Sequence, residues 1–309
     1  MKARIVGIGA NVFDTLVTLP RYPAEDTKLR ASAVKECGGG PCATGLVAAA
    51  KLGVTSAYIG ALAEDGGGAF LMSDMKRFGM PVDCVKTVAG STSFCSYVWL
   101  SEESTSRTCV FCKENLPAYT LDEAQKEAIR EADVLMVDGN DLKNAIEGAK
   151  VAKAAGTKVL YDAGGLYEGI DELLPLADIL IPSEEFSLAK TGAETAEDAA
   201  RILFDTYHPE LVVITRGVRG GVLYDGKELR TYDAFRVNAV DSNGAGDVFH
   251  GAFAVATVKG LKPYEACIFS GAVSALKCTK VGARDGVPTL SQTIEFLKEH
   301  GYELQEIME

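Results

Sequence analysis

The sequence predicts an α/β protein: a mostly parallel sheet with helices on both faces, with a small β-sheet built over it. Two observations carry this. Short β-type runs alternate with helical patterns along most of the chain, the mark of a parallel sheet connected by helices. The alternation fails in two places, where paired β-type runs follow each other without a helix between them.

In chain order, Arg4–Gly9 reads as a strand, Pro41–Leu52 as a helix, Ser56–Ala61 as a strand and Gly67–Phe78 as a helix. Strands at Val134–Val137 and Lys158–Tyr161 flank a helix at Ala145–Ala155. Ile179–Ile181 is a strand, Ala196–Tyr207 a helix and Leu211–Thr215 a strand, followed by the hairpin pair Gly221–Tyr224 and Glu228–Tyr232. Helices at Ala245–Lys259, Pro263–Lys277 and Leu290–Glu299 close the chain. The exceptions are Val12–Leu19 with Lys28–Cys37, and Ser93–Leu100 with Arg107–Phe111. These two inserts, about 12–37 and 91–112, are expected to form one small sheet over the strand ends, where such folds bind ligands. Hinges are expected near Gly9–Asn11, Gly38–Gly40 and Gly90.

Composition narrows the function. Of 309 residues, 47% are hydrophobic and 24% charged, an ordinary globular balance. A net charge of −12 with no basic run argues against nucleic acid or an anionic membrane as partner. No stretch approaches membrane-spanning length and no signal-peptide pattern opens the chain, so the expected location is cytoplasmic. The eight cysteines show no disulfide spacing. Cys109 and Cys112 have the spacing of a metal pair, but they lie in a strand-like run with no second close pair. Gly7-Ile8-Gly9 starts like a dinucleotide fingerprint and fails at Val12, where β-type sequence follows.

The chemistry concentrates in Asp241-Ser242-Asn243-Gly244-Ala245-Gly246-Asp247, which opens a helix apolar on nearly every side. A glycine-rich turn before a buried helix presents unpaired N–H groups at the positive end of the helix dipole. That is an anion site whose usual occupant is phosphate, and if the phosphate is a transferable one, Asp247 in the first turn stands where a base would orient an attacking hydroxyl. The bland alternative is an acidic residue that merely offsets the dipole. Glu36-Cys37-Gly38-Gly39-Gly40-Pro41 opens a second helix with three glycines that let a ligand approach the backbone. Thr215-Arg216-Gly217-Val218-Arg219-Gly220 ends a buried strand where Thr215 and Gly217 could contact phosphates or a base, although read alone a plain strand-to-hairpin turn explains it better. Ser183-Glu184-Glu185 ends another strand, where Glu184 or Glu185 could face hydrated Mg2+ or simply begin a helix.

Taken together, these segments resemble the ribokinase-like (PfkB) family of small-molecule kinases over the whole chain, 1–309. The family pattern Asp-Thr-X-Gly-Ala-Gly-Asp-X-Phe-X-Gly stands here as Asp241-Ser242-Asn243-Gly244-Ala245-Gly246-Asp247-Val248-Phe249-His250-Gly251. The N-terminal Gly-Gly pattern matches Gly39–Gly53, and Thr-X-Gly-X-X-Gly matches Thr215–Gly220. The resemblance implies a Rossmann-like three-layer core with a β lid, ATP as donor and a sugar or nucleoside hydroxyl as acceptor. By position it implies Asp247 as base and Gly244, Ala245 and Gly246 as N–H donors to the transferring phosphoryl group. Asp14, Gly39 and Gly40 would hold the acceptor, and Thr215, Gly217, Gly220 and Gly282 the nucleotide. In many members the Gly282 loop and the Asp241 region also hold a monovalent cation such as K+. Two positions depart from the family. Its Asn falls on Thr44, and its Asn-X-X-Glu motif, tied to Mg2+ and phosphates, falls on Ser183-Glu184-Glu185-Phe186. Ser183 and Glu185 are the candidates left there.

The expected activity is therefore ATP-dependent phosphorylation of a ketose, sugar acid or sugar phosphate. A nucleoside kinase is the alternative, with Phe94, Tyr97 and Trp99 as possible base-pocket rings, although packing or dimer contacts suit them better. A non-catalytic sugar-binding protein is the alternative of another class. Arg107 and Lys28, on the two inserts, are candidates for an anionic group on the acceptor, and the open sheet edges suggest a homodimer through the lid. His208, His250 and His300 receive no role, His250 being read as a satisfied helix histidine.

Overall fold

A computed structural model describes residues 2–104, 106–113 and 115–304. The elements run β1 (Ile5–Ile8), β2 (Val12–Leu19), β3 (Ala33–Gly39), α1 (Pro41–Lys51), β4 (Ser56–Tyr58), β5 (Gly60–Ala63), α2 (Gly66–Arg77), β6 (Val85–Val88), β7 (Cys95–Ser101), β8 (Arg107–Cys112), α3 (Glu123–Glu131), β9 (Val134–Val137), α4 (Leu142–Ala155), β10 (Lys158–Ala163), β11 (Ile179–Pro182), α5 (Glu184–Thr191), α6 (Ala196–Tyr207), β12 (Leu211–Thr215), β13 (Gly221–Tyr224), β14 (Leu229–Tyr232), α7 (Ala245–Val258), α8 (Pro263–Cys278) and α9 (Leu290–Glu299).

The large sheet has the order β14-β13-β12-β11-β10-β9-β1-β4. It is parallel from β4 to β12 and turns antiparallel at β13 and β14. Alternate residues of its strands feed two cores. Ile5, Met136, Leu160, Ile181 and Val213 meet α1, α7 and α8 on one face. Val6, Leu135, Tyr161, Leu180 and Val212 meet α3, α4, α5 and α6 on the other. Burial on both faces is why these strands read as unbroken apolar runs.

The two inserts form a separate four-stranded sheet, β3-β2-β7-β8. β2 pairs antiparallel with β3 and parallel with β7, in the register Asp14↔Ser96 and Thr15↔Tyr97. β8 follows β7 antiparallel, and Cys109 and Cys112 fall on opposite faces of it, so they make no common metal site.

Several expectations need correction. Ser56–Ala61 is two strands in different sheets: β4 pairs with β1, whereas β5 pairs with β6. The β structure expected from Lys28 begins only at Ala33, and Lys28 lies exposed in the preceding loop. β6, α3 and α5 are additional. α3 begins at an Asp122/Gln125 capping box, and α5 is capped by the Ser183 hydroxyl, which accepts from Phe186 N.

Candidate active site

α1 and α7 cross at glycine. A Cβ on Gly251 would lie 2.1 Å from Gly45 O, and one on Gly45 would lie 3.2 Å from Asp247 O. The backbones therefore touch, which accounts physically for the Phe-X-Gly spacing after Asp247. This contact sets the start of α7 against α1 and so brings the two glycine-rich motifs together.

At that start, Gly244 takes a left-handed φ of 75°, and a Cβ there would meet Ala283 at 2.7 Å. The N–H of Ala245 turns back to Ser242 O at 3.2 Å. Gly246 and Asp247, next in the first turn, have no intrahelical acceptor for theirs. Gly246 is exposed and Asp247 half-buried. Burial, then the Asp162 carboxylate, push the Asp247 carboxyl up to about 7, while His250 opposes the shift and Asp138 and Asp14 add to it.

Asp14 lies under the second motif. Its side chain covers Gly39, where a Cβ would fall 1.9 Å from Oδ2, and its Oδ1 accepts from Ser96 Oγ at 2.6 Å. Burial raises its pKa, against the Ser96 hydrogen bond and the Arg284 charge. Gly40 adopts φ 89° where the chain enters α1. Thr44, in α1, is fully buried and its hydroxyl has no hydrogen-bond partner in the structure. It stands beside the place a Gly244 Cβ would occupy, 3.5 Å from its methyl carbon. Arg107 reaches from β8 to the signature turn, donating from Nη1 to Asn243 Oδ1 at 2.8 Å.

The ends of the parallel strands supply the rest. Ser183 and Thr215, after β11 and at the end of β12, pair as an isolated parallel bridge. Gly217 and Gly220 follow with φ 56° and 76°. Three side chains missing from the sequence candidates lie here. Asp138, after β9, accepts from Ala10 N and Cys42 N at 2.8 and 3.0 Å, and from Asn140 N at 2.9 Å. Burial raises it against these three bonds. Asp162, near the end of β10, is raised well above the carboxylate range by burial and by Asp138. His250 is packed between β10 and β11. The available signal was an acid at the carboxyl end of a buried parallel strand, followed by glycine, as in Asp138-Gly139 and Asp162-Ala163-Gly164.

For Mg2+ the protein offers little direct coordination. Among the described residues no group of three or more His, Cys, Asp or Glu side chains gathers. Glu184 is ion-paired with Arg219, and Glu185 is exposed on the first turn of α5. That suits an ion that keeps its waters and arrives on phosphates. For a monovalent cation the fit is better. A Cβ on Gly286 would lie 2.8 Å from Gly282 O, 3.0 Å from Lys277 O and 3.3 Å from Lys280 O, so three carbonyl oxygens converge on one point. Nearby, Asp241 Oδ2 accepts from Gly282 N and Oδ1 from Asn243 N, both at 2.8 Å.

Comparison with known proteins agrees with this arrangement. The family model for pfkB family carbohydrate kinases matches residues 3–290. The ribokinase of Haemophilus influenzae is 27% identical over 304 residues, covering 96% of this chain and 99% of that one. The 5-dehydro-2-deoxygluconokinase of Shouchella clausii is also 27% identical, covering 96% and 95%. The structure of Arabidopsis thaliana ribokinase complexed with ribose and ATP superposes with a TM-score of 0.86 at 26% identity, covering 96% and 99%. No helix among the described residues is long and apolar enough to cross a membrane. The large parallel sheet, the separate small sheet and the paired glycine motifs are thus those of a phosphotransferase acting on a sugar hydroxyl, and the chain belongs to the pfkB family of carbohydrate kinases.

Proposed function

We propose that the protein transfers the γ-phosphoryl group of ATP to a hydroxyl of a small carbohydrate, a ketose, sugar acid or sugar phosphate, with Asp247 as base. The observation that carries this reading is the meeting of Asp247, at the positive end of α7, with Asp14 and the Gly39 turn across the α1–α7 crossing. In-line transfer needs positioning and charge stabilisation more than a strong base. Asp14, Gly39 and Gly40 hold the acceptor's hydroxyls, and the orphaned Thr44 hydroxyl is available to one more. Asp247 takes the proton of the attacking hydroxyl as the new P–O bond forms and the bond from the γ-phosphorus to the β,γ-bridging oxygen breaks, ADP leaving with that electron pair. The N–H groups of Gly244, Gly246 and Asp247 face the charge on the phosphoryl oxygens, whereas the Ala245 N–H expected to join them is taken by Ser242 O. Thr215, Gly217, Gly220, Ser183 and Gly282 line the nucleotide side. Glu185 would be the protein group nearest a hydrated Mg2+ carried in on the phosphates, whose contribution would be to neutralise phosphate charge. The Lys277, Lys280 and Gly282 carbonyls with Asp241 hold the monovalent cation.

The four-stranded sheet acts as the lid, and Arg107, already on Asn243, meets an anionic group of the acceptor. Tyr97 and Trp99 alternate with Ser96 along β7, so they point away from the Asp14 face. A nucleobase pocket built from them would open on the wrong side, which disfavours a nucleoside acceptor. That outer face carries Val34, Tyr97, Trp99 and Val110, all exposed, and a second copy would cover it as a homodimer. Trp99→Glu is expected to give monomers in light scattering.

ATP turnover on a panel of sugars, sugar acids and sugar phosphates tests the reading. Asp247→Asn should lose about a hundred- to ten-thousand-fold in kcat while still binding acceptor. Full activity in that variant would remove Asp247 as the base.

A further inference from the structure

His250 stands on α7 one turn past Asp247, and Asp162 faces it from β10. Both side chains are buried. Ring atom Nδ1 lies 2.6 Å from Gly246 O and 3.2 Å from Asp162 Oδ2, and Nε2 lies 3.0 Å from Ile181 O. Each polar partner of the two ring nitrogens is thus an oxygen. Two are carbonyls, which accept and cannot donate, so Nε2 carries a hydrogen for Ile181. At Nδ1 one more proton is needed. It sits either on the ring, facing an ionised Asp162, or on the Asp162 carboxyl, donated to Nδ1. The 2.6 Å approach to Gly246 O favours the ring, because a bare lone pair there would face another lone pair. Both forms carry the same net charge, zero.

We propose that Asp162 and His250 hold one proton between them and work as an uncharged unit behind Asp247, with His250 as the positioning residue that keeps an unbalanced Asp162 charge from standing against the base. The proposal rests on Asp247 being that base. The surroundings explain why such a unit is needed. Asp247 on α7, Asp138 at the end of β9 and Asp14 on β2 all bear on this space, and from α8 Lys277 feels the Asp247 charge. Each buried carboxylate makes the next harder to ionise. Burial drives Asp162 toward its protonated form and His250 toward its neutral form, whereas the Ile181 and Gly246 carbonyls and the Asp247 charge favour the imidazolium. Sharing one proton satisfies both groups without adding charge. Asp247 is then left to ionise alone when acceptor and ATP are in place.

The test compares wild type, His250→Asn, Asp162→Asn and the double variant, following the Asp247 carboxyl by carbon-13 NMR and the acid limb of kcat/KM. Without His250, Asp162 titrates alone beside the base, and the Asp247 midpoint should rise by about one pH unit. Without Asp162, the ring proton stays as an uncompensated positive charge, and the midpoint should fall. Removing both takes away a neutral unit, so the double variant should return close to wild type. A purely structural role would not produce opposite shifts that cancel. The pair is overturned if both single variants move the midpoint in the same direction, or if neither moves it. Nitrogen-15 NMR of the wild-type ring needs no variant: a neutral Nδ1–H tautomer with bare Nε2 would also overturn it. Should the carboxyl shifts appear as stated while Asp247→Asn keeps its turnover, the base assignment fails and the proton-sharing pair stands.

Discussion

The buried ammonium of Lys277 donates to the Asp241 carbonyl at 2.8 Å and lies 3.9 Å from that residue's carboxylate. Burial lowers the Lys277 pKa, and Asp241 holds it up. The same lysine contributes its own carbonyl to the three-oxygen cradle beside Gly286. Its ammonium and a monovalent cation would therefore share the Asp241 charge and repel one another. Lys277→Met keeps the bulk and removes the charge. It should cost about 2 kcal/mol of stability at low salt, the worth of a hydrogen bond to a charged group. The variant's melting temperature should then rise with KCl more than with choline chloride, and by more than in wild type. Equal responses of the two proteins to K+ would show that Lys277 and the cradle do not interact.

Activity should fall as pH drops through about 7. The proton on Asp247 blocks its work as base, and burial with Asp162 places its midpoint there instead of the usual 3.8. The sign follows from the direction of the shift: a raised carboxyl loses its charge, and the enzyme its base, at higher pH. kcat/KM reports groups of the free enzyme and should show this limb, whereas Mg2+ bound with ATP should move the limb of kcat to lower pH. A kcat/KM profile flat down to pH 5 would mean that Asp247 titrates as an ordinary surface carboxylate.

The Gly45–Gly251 contact leaves no room for a methyl group. Gly251→Ala would put Cβ 2.1 Å from a backbone oxygen, so the two helices must separate. Overpacking of this kind costs about 1–3 kcal/mol. It should appear as a lower urea midpoint with an unchanged slope. Turnover should drop as well, since Asp247 starts the helix being displaced. A variant with wild-type midpoint and turnover would show that the crossing relaxes freely.

What the sequence discloses depends on whether a feature is local. Asp241–Gly251 is readable because its glycines answer to backbone contacts made within a few residues and one crossing. The small sheet is readable because both inserts break the helix–strand alternation. The split between β4 and β5 is not, since Ser56–Ala61 is one unbroken buried run with no turn signal inside it while its two halves pair with β1 and β6. Asp138, Asp162 and His250 escape for another reason. Each sits on a different element: the parallel register of β9 and β10 sets the two acids side by side, and α7 lays His250 against β10 and β11. Glu184 shows the reverse, an apparent metal ligand that the fold commits to Arg219.

Arg284 ties the C-terminal loop to the acceptor turn. Fully buried, it pairs through Nη1 with Asp74 Oδ2 at 2.7 Å, and donates from Nη2 to Asn11 Oδ1 at 2.8 Å and Gly39 O at 2.5 Å. Its guanidinium occupies the space a Gly38 side chain would need, 2.1 Å from the Cβ position. Arg284→Met takes away one of the two arginines on Asp74, leaving Oδ2 without its donor while Oδ1 still accepts from Arg77 at 2.7 Å, and should cost about 1.5–3 kcal/mol, the worth of a hydrogen bond to a charged group. Adding Asp74→Asn removes that charge and should restore much of the stability. It cannot restore the donor to Gly39 O, so KM for the sugar should stay high in the double variant while the KM for ATP stays near wild type. If acceptor KM recovered together with stability, Arg284 would serve only to balance Asp74, and the Gly39 turn would hold its shape without it.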